Sequence, residues 1–363
     1  MAAEPTAFMN ENRLRSIDLR RPDGFSRLLL RCGTSLIELL AVAAIITLLM
    51  GLLLPAVQAA REAGRRVQCQ SNLHQIGIAV LNYEATHGTL PPSFIASPFG
   101  SWSVHARLLP YIEQNSVFDS ICFDVGWEHP RNLVSGVPQF VLPAYKCPSD
   151  PFAYRMKDEG HDEGWVSPVS YGFNAGTWFI WDPVSHQSGD GVFLPQIFLR
   201  LSAISDGLST TMAACDVKTF QPLIHDTFTP SPRPPSRPED LLQYIGGGQF
   251  ELGPDLNDNG GHGEWCDGAV YDTGFTATFP PNYEVEYTHR DGRKYDIDFT
   301  SRTLGTSATQ PTFAAVTARS YHQGLVHAVG VDGGVHPISD SIDPAVWRKL
   351  CTRNGGEVAR LAE

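Results

Sequence analysis

From Leu39 to Ala60 the chain reads LLAVAAIITLLMGLLLPAVQAA, with no charge before Arg61. As a helix rising 1.5 Å per residue, such a run crosses about 30 Å of hydrocarbon. Residues 34–60 are therefore predicted to be the transmembrane half of a long helix. Pro55, inside the run, predicts a kink or a local break. Farther on, Leu73, Ile76, Gly77, Val80, Leu81 and Glu84 recur at helical spacing until Gly88 and then Pro91-Pro92 stop the pattern. Residues 61–88 thus read as an amphipathic continuation whose apolar stripe packs under a core.

After Pro92 the texture changes to short apolar or aromatic runs broken by Gly, Pro, Asn and Asp, the signature of short strands and long loops. Strands are predicted at Gln139 to Leu142, Met212 to Asp216, Tyr283 to Tyr287, Thr312 to Val316 and Val326 to Val331. Helix is predicted only over Leu108 to Phe118, opened around Pro110, and in the tail from Pro344 to Leu350. Thr229 to Asp240, with five prolines, and Gly246 to Gly268, dominated by Gly, Asp and Asn, read as surface excursions. The expected class is α+β: a long N-terminal helix on a large antiparallel β-rich head, residues 89–363, with long loops.

Charge sharpens this division. Six of the 27 basic and four of the 39 acidic residues lie in the first 33, so 21 basic and 35 acidic residues remain for the rest. That acidic remainder argues against a nucleic-acid partner, which needs clustered Lys and Arg. Seven cysteines, at 32, 69, 122, 147, 215, 266 and 351, contain no C-x-x-C pair, which leaves zinc ribbons and thioredoxin-like sites unsupported. If the chain is cut after Gly33, six remain and permit up to three disulfides in an exported domain.

The segment before the apolar run separates three readings. A secretory signal peptide needs a shorter apolar core and a small-residue cleavage site, and Val57-Gln58-Ala59 matches that poorly. An uncleaved signal anchor is the second reading. The third starts from Gly33-Thr34-Ser35-Leu36-Ile37-Glu38, where a lone carboxylate stands at the edge of the hydrocarbon run, a place that invites a functional explanation. This segment resembles the prepilin consensus. The resemblance implies a 1–33 leader, cleavage by a prepilin peptidase after Gly33, and methylation of Thr34 as the new N-terminus. Glu38 would then meet the N-terminal ammonium of a neighbouring pilin-like subunit during assembly. Thr34 stands where the consensus usually has Phe or Met.

Several segments, in order, carry a wider resemblance: REAGRRVQCQSNLHQIGIAVLNYEATHGTLPPS at 61–93, SWSVHARLLPYIEQ at 101–114, YKCPSDP at 145–151, SYGFNAGT at 170–177 and RLSAISDGLSTTM at 200–212. SYHQGLVHAVGVDGGVHPIS at 320–339 and DPAVWRKLCTRNGGEV at 343–358 complete it. Together they are similar to a planctomycete-type family that joins a prepilin-type N-terminus to a domain of unknown function with a C-terminal His-x9-Asp-Gly motif, here His322, Asp332 and Gly333. The resemblance implies a pilin-like architecture and no activity. Cys69 and Cys147 both lie in segments that carry it, and are expected to pair; two unrelated buried thiols are the alternative. The implied location is the cell inner membrane, single-pass, with the head in the periplasm or outside the cell. The implied partners are the lipid bilayer, the prepilin peptidase and other pilin-like subunits.

No catalytic signature emerges: there is no nucleophile elbow, His-Glu-x-x-His or Walker-type loop. His322 and Asp332 would make an acid-base pair, and so a hydrolase, only in a shared cleft. A hairpin turning at Asp332-Gly333-Gly334 explains their spacing equally. His322, His327 and His336 are weighed as transition-metal ligands, but the odd offset of the first two points them to opposite faces of a regular strand. Calcium is the one cofactor candidate. Asp255, Asn257 and Asn259 occupy alternate positions of a D-x-[DN]-x-[DN]-G opening, with Glu264 or Asp267 substituting for the closing bidentate Glu because Cys266 stands at its place. A solvated Asn/Asp/Gly turn is the alternative. The reading is therefore a membrane-anchored pseudopilin-like structural or interaction protein, with a non-assembling tether for calcium or an extracellular polymer as runner-up.

Overall fold

The computed structural model describes residues 35–158, 164–253 and 259–356. It begins with a single helix, α1, spanning Leu36–His87 and unbroken at Pro55. Gly88, at φ +73°, ends it by adopting the left-handed conformation that a helix C-terminus favours. The chain divides into two compact units at Val57/Gln58. In the first unit, residues 35–57 are all exposed. In the second, α1 buries Cys69, Asn72, Leu73, Ile76, Gly77, Ala79, Val80 and Tyr83. This is the expected stripe, except that Leu81 and Glu84 are only half-buried at its margin.

Two five-stranded sheets form the body of the second unit. One runs in the order Val335–Ser339, Leu325–Gly330, Met212–Asp216, Tyr171–Asn174, Gly274–Phe275. The other runs Phe179–Trp181, Thr312–Ala315, Asp298–Thr300, Leu223–His225, Gln249–Glu251. Both are mixed rather than purely antiparallel: Tyr171–Asn174 lies parallel to Gly274–Phe275, and Asp298–Thr300 parallel to Leu223–His225. Such pairs need long crossovers, which the loop-rich texture supplies. The buried face of α1 joins Val329, Val331, Ala213, Tyr171, Phe173 and Trp265 in one core cluster.

Met212–Asp216 is a strand with the expected bounds, and Leu325–Gly330 and Thr312–Ala315 differ from expectation by a residue. Gln139 to Leu142 is not a strand among the described residues: Val137–Gln139 and Pro143–Tyr145 are 3-10 turns. Pro138 and Pro143 lack N–H donors and fix φ near the helical value, so the segment cannot complete a ladder. Tyr283 to Tyr287 contributes only Glu286–Thr288, paired with Lys294–Asp296. Leu108 to Phe118 breaks into three short helical pieces, with Glu113 at φ +62° between the last two. The tail helix, Pro344–Cys351, is capped by Asp343, whose carboxylate accepts from Ala345 N and Val346 N.

Candidate functional site

Glu62 and Cys69 stand two turns apart on α1, hence on one face of it. Cys69 pairs with Cys147 across a sequence separation of 78, with Cα atoms 5.2 Å apart, as expected. It is the one disulfide among the described residues; Cys122, Cys215, Cys266 and Cys351 are free. Next to it, Glu62 Oε1 accepts from His322 Nδ1 at 3.0 Å and from Ser149 Oγ at 3.2 Å. Its other oxygen accepts from Arg65 Nε at 2.8 Å. Burial would raise the Glu62 carboxyl, but hydrogen bonds from Arg65 and His322 outweigh it and hold it below the usual glutamate value.

His322 lies fully buried, with Nε2 3.6 Å from Cys147 Sγ. Its ring meets that of His327 edge-on, centroids 4.7 Å apart. The rings meet because His322 precedes the strand Leu325–Gly330, so the alternation rule that sent the two histidines to opposite faces does not govern it. His327 donates to Asp216 Oδ2 from its backbone N at 2.8 Å and from Nδ1 at 3.1 Å. Asp216, His322 and His327 each offer a ligand atom within 4.8 Å of the other two. His336 sits on the neighbouring strand, paired with Ala328.

The far end of the motif does different work. Val329 pairs with Val335, and Gly333, at φ +85°, turns the hairpin; its neighbour Gly334 N donates to Asp332 Oδ1 at 2.9 Å. The Gly333 carbonyl lies 3.0 Å from His74 Nδ1, and a Cβ added at Gly77 of α1 would come within 3.0 Å of Gly333 Cα and 2.7 Å of Val329 Cγ2. The motif therefore grips α1 at two places, by the His322–Glu62 hydrogen bond and by close backbone approach at Gly333. The six strand residues between extend about 20 Å. His322 is buried against Glu62 while Asp332 is exposed in the turn, so they share no cleft and cannot act as an acid-base pair.

Around the disulfide, Asn72 Nδ2 donates to Lys146 O at 2.8 Å, and Lys146 Nζ donates to Ser167 Oγ at 2.8 Å. Burial pushes the Lys146 ammonium down to about 7 and the Asp150 carboxyl up to about 6. Asp150 receives Thr219 N and Phe152 N, each at 2.9 Å. The YKCPSDP segment is thus a packed turn stapled to α1.

Gly33, Thr34, Asp255 and Asn257 lie outside the described residues. Glu38 is in the first turn of α1, where its carboxylate accepts from Ser35 N at 2.9 Å. Asn259 Oδ1 is turned back on Gly260 N. Glu264 instead pairs with Lys157 and falls beside Asp267 and Asp272. Sequence reasoning singled out neither Glu62 nor Asp216. For Glu62 the signal was available, an acid two turns before Cys69 on the same helix face. Asp216 carries none, because its partner His327 comes from a distant segment, and Asp272 carries none, because only packing turns it toward Glu264 and Asp267.

No curated protein and no solved structure matches the chain. A family model described as a protein of unknown function (DUF1559) matches residues 58–345, which hold the helix face, the disulfide, both sheets and the whole His-x9-Asp-Gly grip, and the chain belongs to that family.

Proposed function

We propose that this is a membrane-anchored, exported protein of pseudopilin-like build, processed after Gly33, whose DUF1559 head serves as a structural or interaction module in the periplasm or outside the cell. One observation carries the reading: the charge-free run from Leu39 to Ala60 lies on one helix and is exposed along its length. An uncovered apolar surface of this extent is unstable in water and suits a bilayer. The Cys69–Cys147 disulfide supports export, since such bonds persist in oxidising compartments. Glu38 has the position an assembly carboxylate needs. Its bond to Ser35 N, within its own chain, favours as second reading a tether that never polymerises.

Intact-mass analysis of protein extracted from native membranes tests this. The expected species begins at Thr34 with a methylated amine and gains two mass units on reduction of its one disulfide. Residues 1–33 still attached would overturn the processing claim.

A further inference from the structure

We propose that Glu264, Asp267 and Asp272 form an oxygen-only calcium site inside the head. Each residue offers a carboxylate oxygen within 4.8 Å of the other two. A calcium ion held at 2.3–2.6 Å bridges two oxygens up to about 5 Å apart, so carboxylates at this spacing are in the range from which to converge on one.

Independent of that spacing is the state of Asp272. It is 1% exposed, and neither carboxylate oxygen has a hydrogen-bond partner among the described residues. Desolvating an acid without any donor is among the costliest things a core can do. Elsewhere this chain avoids it. Buried Asp298 receives the Arg319 guanidinium, which also holds Asp296 at 2.8 Å, and Thr317 N donates to it at 3.1 Å. In the triad the Lys157 ammonium bonds Glu264, while Asp272 receives no donor among the described residues.

A dication would offset the three clustered carboxyls more fully than the Lys157 ammonium does. The donor set selects a hard one: the triad is carboxylate oxygen alone, with no imidazole or thiol among its ligand atoms. The framework is already fixed, since Trp265 N donates to Ser167 O, and Ser103 N to Cys266 O. Nothing here depends on cleavage after Gly33, and the site differs from the alternate-position loop anticipated at Asp255, Asn257 and Asn259, sharing with it only the candidate closing acids Glu264 and Asp267.

The test is a calcium titration of the full-length chain in detergent after chelator stripping, followed by calorimetry and by thermal denaturation. One ion per chain and a saturable rise in midpoint are expected, with magnesium at equal concentration producing a clearly smaller rise. Asp272→Asn should remove the calcium response, because it deletes one of the three carboxylates. Asp267→Asn provides a second variant if the first does not fold, and should lose the response likewise. No response in the wild type, an equal response to magnesium, or a wild-type response in a folded triad variant would each overturn the assignment.

Discussion

Along α1, two segments of one helix have opposite relations to the protein around them. Over Leu36–Val57 the residues are the most apolar in the chain and none is buried. Over Gln58–His87 charges and amides interrupt the apolar positions, and eight residues are buried. Hydrophobicity by itself thus fails to say what covers a helix; spacing does. The second segment has a face, with Cys69, Leu73, Ile76 and Val80 recurring every three or four residues, and a face implies a protein partner. The first is apolar all round, and an all-round apolar surface implies a solvent.

The largest way to disturb the covered segment is to unstitch it. Replacing both Cys69→Ser and Cys147→Ser opens a loop of 78 residues, and chain-entropy reasoning puts the loss at about 4 kcal/mol. Denaturant midpoints of the detergent-solubilised chain should fall accordingly. Reductant should lower the wild type equally and leave the double variant unmoved; an equal midpoint for the two would show that the staple contributes nothing.

A smaller effect separates glycines on the same helix. At Gly64 an added Cβ meets nothing within 4 Å, so Gly64→Ala should stabilise by up to about 1 kcal/mol through helix propensity. At Gly77 the same atom would meet Val329 Cγ2 at 2.7 Å and Gly333 Cα at 3.0 Å. Overpacking of about 1–3 kcal/mol then opposes the propensity gain, and Gly77→Ala should be the less stable of the two variants by urea denaturation. The reverse order would mean that the Asp332-Gly333 turn does not grip the helix.

These contrasts also mark how far the sequence could be read. The helix, its two-part character and strands such as Met212–Asp216 were legible because local periodicity specifies them. Gln139 to Leu142 misled because apolar residues between Pro138 and Pro143 resemble a strand in composition while the prolines dictate turns. The Cys69–Cys147 bond was reached through family resemblance, not through pattern. The bond between His322 and Glu62 joins residues 260 apart, and Asp272 meets Glu264 only after a short helix at Val270–Thr273 turns it inward. Contacts like these are set by tertiary packing, on which spacing along the chain is silent.

The smallest perturbation gives the most direct test of the claim that lipid covers the first segment. Leu52 and Val67 are equally exposed, at 67% and 65%, on the two segments of α1. Nitroxides placed by Leu52→Cys or Val67→Cys, in a Cys32→Ser, Cys122→Ser background, would be read in the full-length chain reconstituted in phospholipid vesicles. The account predicts that the label at 52 relaxes with dissolved oxygen and is shielded from a water-soluble nickel complex, while the label at 67 shows the opposite. Equal access of the nickel complex to both labels would contradict it.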